Sequence, residues 1–311
     1  MTHDPIARLR RFNRAVTTEV GALDHSFLGR GRPLGAARVL NAIGQGFTEV
    51  SEIRDYLGLD SGLMSRLLRS LEGEGLLTTT PDEADARRRI ARLTEAGQAE
   101  FAAYESLSDS RAEALFSRHP KPQALLAAMD LVASALGRDR ILITEQDPRC
   151  EAAVFCLGEY YSELARRFER GFDVSLSCDP DAADMIRPRG VFLVALSDGL
   201  PLGCVGLKGA GTSADPKDLD QSQSPRRAEI KRLWVSPAAR GLGLARDLMT
   251  RVEEIACDLG YTHLRLDTNS ALPEAVNLYR ASGWVEIDRF NDDPYPDFFF
   301  EKKIGRSPGV S

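Results

Sequence analysis

The chain has 311 residues, 43% of them hydrophobic and 28% charged, with a formal net charge of −6; that length is comfortable for two domains and the composition can bury a core. No run of about 18 apolar residues occurs, which excludes a membrane-spanning helix, and the first residues lack the apolar core of a secretory signal. Cys150, Cys156, Cys178, Cys204 and Cys257 form no CxxC, and the four histidines lie far apart, so no metal site is expected and the thiols fit a reducing cytoplasm.

Residues 1–140 balance 19 basic against 19 acidic side chains, and Lys121 is their only lysine. Arginine suits phosphate because its planar fork donates in pairs, although a GC-rich genome gives the same bias. Residues 5–136 read mostly as helix. Val50, Ile53 and Leu57 fall at helical spacing before Gly58. Asp60 or Ser61 can cap a second helix that carries Leu63, Leu67, Leu68 and Leu71 on one face. Ser61, Gly62, Ser65, Arg66 and Arg69 fall largely on the other face, and Gly73 and Gly75 close the helix. This is a helix-turn-helix, whose second helix is the one that enters a major groove. "LLTTT", "PDEADARRR" and "IARLT" then form a hairpin with Arg87, Arg88 and Arg89 near its tip. A basic hairpin beside a recognition helix acts as a wing that reaches backbone or minor groove. Asp85 could pair with Arg87 to fix the tip. The competing reading is a helical bundle with a solvated arginine hairpin.

The stretches "LGLDSGLMSRLLRSLEGEGLL" and "DEADARRRIARLTEAG" resemble the MarR family of winged-helix regulators over about residues 5–137. The resemblance implies a mainly-α winged helix with a β-hairpin wing. It also implies a homodimer built from the first and last helices of that domain, and a double-stranded DNA operator of two half-sites. The helix of residues 122–137 is too apolar to stand free, which agrees with dimerisation.

At Ile141–Thr144 the pattern turns from helix to strand. The second half then reads as strand 141–145, helix 149–170, strands 191–196 and 202–208, strand 228–235, helix 241–259, strand 262–267, helix 273–282, and strands near 284–289 and 297–303. Residues 209–229, rich in Gly, Ser, Asp and Pro, read as a long mobile insertion. Within the helix of 241–259, Ala245, Leu248, Met249, Val252, Ile255, Ala256 and Leu259 make one apolar stripe. "ARGLGLAR" therefore opens a packed helix, where free N–H groups and the dipole favour a diphosphate. The loop lacks the Gly-Lys-Ser/Thr of a P-loop. A dinucleotide fold is weakened because the loop follows an antiparallel meander rather than a parallel βαβ unit.

The run Arg240-Gly241-Leu242-Gly243-Leu244-Ala245, with "EIKRLWVSP" before it and "NSALPEAVNLYRASGWVEI" after it, resembles the GNAT superfamily of acetyl-CoA-dependent N-acetyltransferases. The resemblance covers about residues 141–304, with Trp284 in place of the family's phenylalanine. It implies an α/β fold with a mixed central sheet. Two domains are thus expected, residues 1–138 and 139–305, with a tail at 306–311. It further implies acetyl-CoA as co-substrate, its diphosphate held by Arg240 to Ala245 and its pantetheine arm paired with the backbone of Leu233, Trp234 and Val235.

Acetyl transfer also needs a base and an acid. Glu229 is the candidate base, or else an edge carboxylate paired with Lys231 or Arg232. Tyr279 is the candidate acid, or else a packed aromatic. Asn269 and Asn277 are candidate cofactor contacts, or else capping residues. The acceptor reads as a small amine or amino-acid-like molecule. Arg166, Arg167 and Arg170 could bind a carboxylate or form a solvated face, and Tyr295 could reach the same pocket. The function expected is a bifunctional regulator and N-acetyltransferase. The alternative is a DNA-binding regulator that senses acetyl-CoA or an amine without turnover.

Overall fold

The computed structural model describes residues 4–169, 171–176, 184–209 and 226–305. The chain divides into two compact units, residues 1–122 and 123–311. Arg170, Cys178 and most of the 209–229 insertion, read above as a mobile loop, lie outside the described residues, as does the tail at 306–311.

In the first unit α1 spans Pro5–Glu19, capped by the Asp4 carboxylate, which accepts from the Ile6 N–H. Helices α2 (Leu34–Gly44), α3 (Val50–Leu57) and α4 (Ser61–Gly73) follow. Gly58 ends α3 in the left-handed region at φ 64°, and Asp60 caps α4 by accepting from the Leu63 N–H. The apolar stripes of these helices converge: Leu40, Ile53, Met64, Leu68 and Leu71 share one core with Leu77, Ala91 and Tyr104. Strands β1 (Leu77–Pro81) and β2 (Arg89–Leu93) pair antiparallel with Thr79 opposite Ala91, forming the expected hairpin. At its tip Asp85 accepts from the backbone N–H of Arg87, whereas its ion pair, at 3.8 Å, is with Arg88. The expected Asp85–Arg87 link is thus a main-chain one, because a turn aspartate reaches the N–H two residues on.

Helix α5 (Glu95–Arg118) carries Glu100 into an arginine clamp. Glu100 is 8% exposed and accepts from Arg30 Nε at 3.0 Å and from an Arg32 terminal nitrogen at 2.7 Å. The Arg30 hydrogen bond leads the causes that hold its carboxyl below the usual glutamate range, against burial. A carboxylate depressed on folding stabilises above its unfolded pKa and loses that contribution as pH falls through its folded one. The Glu100→Gln variant should therefore melt below the wild type near neutrality, with the difference shrinking below about pH 4; melting curves across pH check this.

In the second unit α6 (Pro122–Leu136) leads into β3 (Leu142–Gln146) and α7 (Glu151–Arg167). Strands β4 (Val191–Ser197), β5 (Leu200–Gly209) and β6 (Arg227–Val235) form a meander. Then come α8 (Leu244–Asp258), β7 (His263–Thr268), α9 (Pro273–Ala281), β8 (Val285–Glu286) and β9 (Phe298–Lys303). The sheet order is β3-β4-β5-β6-β7-β9-β8. Among the described residues only β6 and β7 pair in parallel, so the sheet is mixed. One core lies between the sheet and α8, built on Val205, Leu207, Ile230, Leu248, Val252 and Leu266. The opposite face packs on α7 through Cys156, Leu157, Phe192 and Trp234. Among the described residues no helix is long and apolar enough to cross a membrane.

Candidate functional site

Two features of β6 build the site. Cys204 pairs with Trp234 and Gly206 with Lys231, so Val205 is opposed by both Arg232 and Leu233. This is a β-bulge, and Arg232 takes it at φ 60°. The second feature is the parting of β6 and β7. Their pairing ends at Ile230 and Leu266, so from Lys231 onward the β7-facing edge of β6 is released. The gap is a cleft of about 450 Å³, lined by Leu233, Trp234 and Val235 on one strand and by Ala275 and Leu278 of α9.

The glycine loop closes one end of that cleft. Gly241 and Gly243 sit at φ 79° and 83°, a region costly for other residues. A Cβ on Gly241 would project into open space. Gly243 caps α8, so the helix starts three residues later than the periodicity alone suggests. The first N–H groups of α8 have no intrahelical acceptor and point from the positive end of its dipole. Arg240, Gly241, Gly243, Leu244 and Ala245 line the cleft, whereas Leu242 does not. The Leu242 carbonyl instead accepts from Arg138 Nε at 2.6 Å, and Arg138 also ion-pairs with Asp247 in the first turn of α8.

A smaller cavity of about 70 Å³ adjoins the cleft and shares Tyr160, Leu164, Leu233, Leu272 and Ala275 with it. Tyr279, Asn269 and Tyr295 line it, together with Lys231, Asp267 and Asp293. Tyr279 is 5% exposed, and burial raises its phenol above the usual value of 10.0. Burial raises Tyr160 in the same way. Lys231 Nζ stands 2.7 Å from Asp267 and 3.4 Å from Glu229. Burial works to lower the Lys231 ammonium, but Asp267 and Glu229 together hold it above the ordinary lysine value. Asn291 also donates to Asp267, at 2.6 Å.

Several expected residues take other places. Glu229 lines neither cavity and sits at the outer end of the Lys231 bridge. Asn277 is exposed on α9, away from both. Asn269 is at the smaller cavity, but its amide is spent on the local turn, donating to the Tyr295 carbonyl and accepting from the Ala271 N–H. Arg167 lines neither cavity and is bound to Glu163 at 3.0 Å, to Glu274 and to the Ala271 carbonyl. Arg166 is exposed on α7.

Glu163, Tyr160 and Asp267 were not in the expected set. Buried Glu163 accepts from the Trp234 indole at 3.1 Å and pairs with Arg240 at 2.5 Å. Its signal lies in the spacing Tyr160, Glu163, Leu164, Arg167, a helical stripe that sets an acid and its i+4 arginine beside an aromatic and an aliphatic residue.

The cleft fits acetyl-CoA on three observations: an unpaired strand edge, a glycine cradle with room where a side chain would stand, and a helix N-terminus at its end. Gly241 to Ala245 would hold the diphosphate and Leu233 to Val235 the pantetheine arm.

In the first unit Ser61, Gly62, Ser65, Arg66 and Arg69 are exposed on α4, while Met64, Leu68 and Leu71 face the core. Arg87, Arg88 and Arg89 are exposed on the hairpin. Arg88 lies 3.6 Å from Glu49, and Arg89 bonds the Thr79 hydroxyl.

Residues 158–284 match the acetyltransferase (GNAT) family and residues 30–88 the MarR family. An uncharacterized N-acetyltransferase of Schizosaccharomyces pombe is 31% identical over 138 residues, 42% of this chain and 77% of its own length. An IAA acetyltransferase of Azospirillum brasilense is 31% identical over 128 residues, 40% of this chain and 74% of its own. Among solved structures, a GNAT-family acetyltransferase from Staphylococcus aureus is 17% identical with a TM-score of 0.42, covering 52% of this chain and 98% of its own. The chain belongs to the acetyltransferase (GNAT) family, and a segment ahead of the transferase fold matches the MarR family. It is an acyltransferase.

Proposed function

We propose that the chain is bifunctional: residues 1–138 bind an operator as a dimer, and residues 139–305 acetylate a small amine or amino-acid-like acceptor. The observation that carries the second half is the adjacency of the two cavities. A donor cleft shares Tyr160, Leu164, Leu233, Leu272 and Ala275 with a smaller pocket that holds a phenol and a buried carboxylate.

Acetyl-CoA supplies the activated acetyl group. The amine nitrogen forms a bond to the acetyl carbon as the carbon–sulfur bond breaks; an ammonium loses two protons, one going to the sulfur and one to solvent. Asp267, at the pocket, receives the ammonium, and Lys231 connects it to half-exposed Glu229. Glu229 thereby acts by sharing the Lys231 ammonium with Asp267, which positions Asp267, rather than by direct contact. Tyr279 donates toward the departing sulfur. Asn269 holds the turn that carries Tyr295. Thiol release measured over a panel of amines tests the reading. Tight acetyl-CoA binding with no release from any amine would favour the sensing alternative.

For the first half, the exposed basic faces of α4 and the hairpin support DNA binding. The apolar side chains left outside, Ile6, Leu9, Phe12 and Val16 on α1 and Leu126, Met129 and Leu131 on α6, support dimerisation. The Arg87→Ala variant should bind its own upstream DNA at least about tenfold more weakly, with acetyl transfer unchanged. Wild-type binding should fall steeply with salt as phosphate counterions are released. Mobility shifts at several salt concentrations check both.

A further inference from the structure

The smaller cavity is selective in its charges. Its two lining cations are both engaged: Lys231 between Asp267 and Glu229, and Arg232 with its guanidinium 5.2 Å from the centre of the Tyr161 ring. Arg167, the expected carboxylate receiver, is consumed by Glu163, Glu274 and a carbonyl. Asp293 is the opposite case. It lines the cavity at 7% exposure and accepts from the Tyr295 N–H at 3.1 Å, and among the described residues no cation is paired with its carboxylate.

The wall beside it is aromatic. Phe172 and Tyr295 have ring centroids 4.7 Å apart, and Phe168 lies 5.9 Å from Tyr295 and 6.0 Å from Phe172. The Tyr295 hydroxyl is anchored to the Asp173 backbone, accepting from its N–H at 2.9 Å, so the ring serves as a fixed wall. Ring faces attract cations, and a desolvated carboxylate behind them adds to that attraction.

We propose that the acceptor is a dicationic amine without a carboxylate: its reacting nitrogen is received at Asp267, and its remote cation rests at Asp293 against Phe168, Phe172 and Tyr295. The proposal rests on the acetyl-transfer reading above and narrows it from amines and amino-acid-like molecules to short diamines. A carboxylate-bearing acceptor would set its anion beside the like-charged Asp293 carboxylate.

Three acceptors of like length separate the possibilities with the full chain: 1,4-diaminobutane, n-butylamine and 4-aminobutanoate. The expected order of kcat/KM is diamine, monoamine, amino acid, with the diamine ahead of the monoamine by about tenfold or more, as one charged contact gives. In the Asp293→Asn variant the diamine-to-monoamine ratio should collapse toward one, through KM. Equal rates for diamine and monoamine in the wild type, or preference for 4-aminobutanoate, would overturn the proposal. So would an unchanged ratio in Asp293→Asn. The wild-type series decides the matter even if that variant fails to fold. If no acceptor releases thiol while calorimetry shows acetyl-CoA bound, the acetyl-transfer reading fails first; turnover in the wrong order sinks only the acceptor class.

Discussion

Tyr279→Phe should lower kcat by about a hundredfold or more, the usual worth of a positioned proton donor, and leave acetyl-CoA affinity nearly intact. Tyr279 is buried among Trp284 and Phe300, with ring centroids at 6.0 and 5.8 Å, and a phenylalanine keeps those contacts. The variant therefore removes one oxygen from the cavity wall and little else. Burial raises the phenol above its usual value of 10.0, so the hydroxyl keeps its proton throughout the working range. It acts by donating a hydrogen bond to the developing thiolate, and no descending limb assignable to it should appear below about pH 10. Rate against pH and calorimetry on the variant check the two halves. A loss of affinity with unchanged kcat would make Tyr279 a packing residue.

Lys231→Met should destabilise the transferase unit by about 3–5 kcal/mol, the range for breaking a buried ion pair from one side. Lys231 and Asp267 side chains are each 9% exposed. Without the ammonium, Asp267 keeps only the Asn291 amide as a neutral donor. The double variant Lys231→Met, Asp267→Leu should recover most of the loss, since an apolar pair of similar volume removes the stranded charge. Thermal melts of the two variants test this; a neutral single variant would show that the carboxylate tolerates solitude. Turnover should fail in both, because the ammonium receiver is altered or removed.

What the sequence disclosed was local. The glycine loop announces itself because left-handed backbone, a missing Cβ and a helix start all fall within five residues. The α8 stripe follows from 3.6-residue periodicity, and the hairpin wing from turn residues between two β-rich runs. What stayed hidden depends on partners far along the chain. Glu229 reads as an acid in a strand, but a strand's own sequence does not say which neighbour its face will meet; here Lys231 meets it first. Asp267 becomes meaningful only when β7 lies beside β6, 36 residues away from Lys231 in sequence. Asn277 and Tyr279 are two apart on one helix, about 200° around its axis, so both could not face one cavity. Arg167 was plausible as a free cation until Glu163 and Glu274 were placed around it.

The bulge at Arg232 has a consequence for how β6 tolerates change. Before it, even-numbered Ala228 and Ile230 face the α8 side; after it, odd-numbered Leu233 and Val235 do, and Trp234 turns to the α7 side. The strand is thus written in two reading phases, spliced at a single extra residue. Removing that residue would not leave a small defect. It would transpose every later side chain, sending the indole toward α8 and away from Glu163, and the aliphatic pair toward α7. Substitution along this strand is a local matter, but its length is a global one.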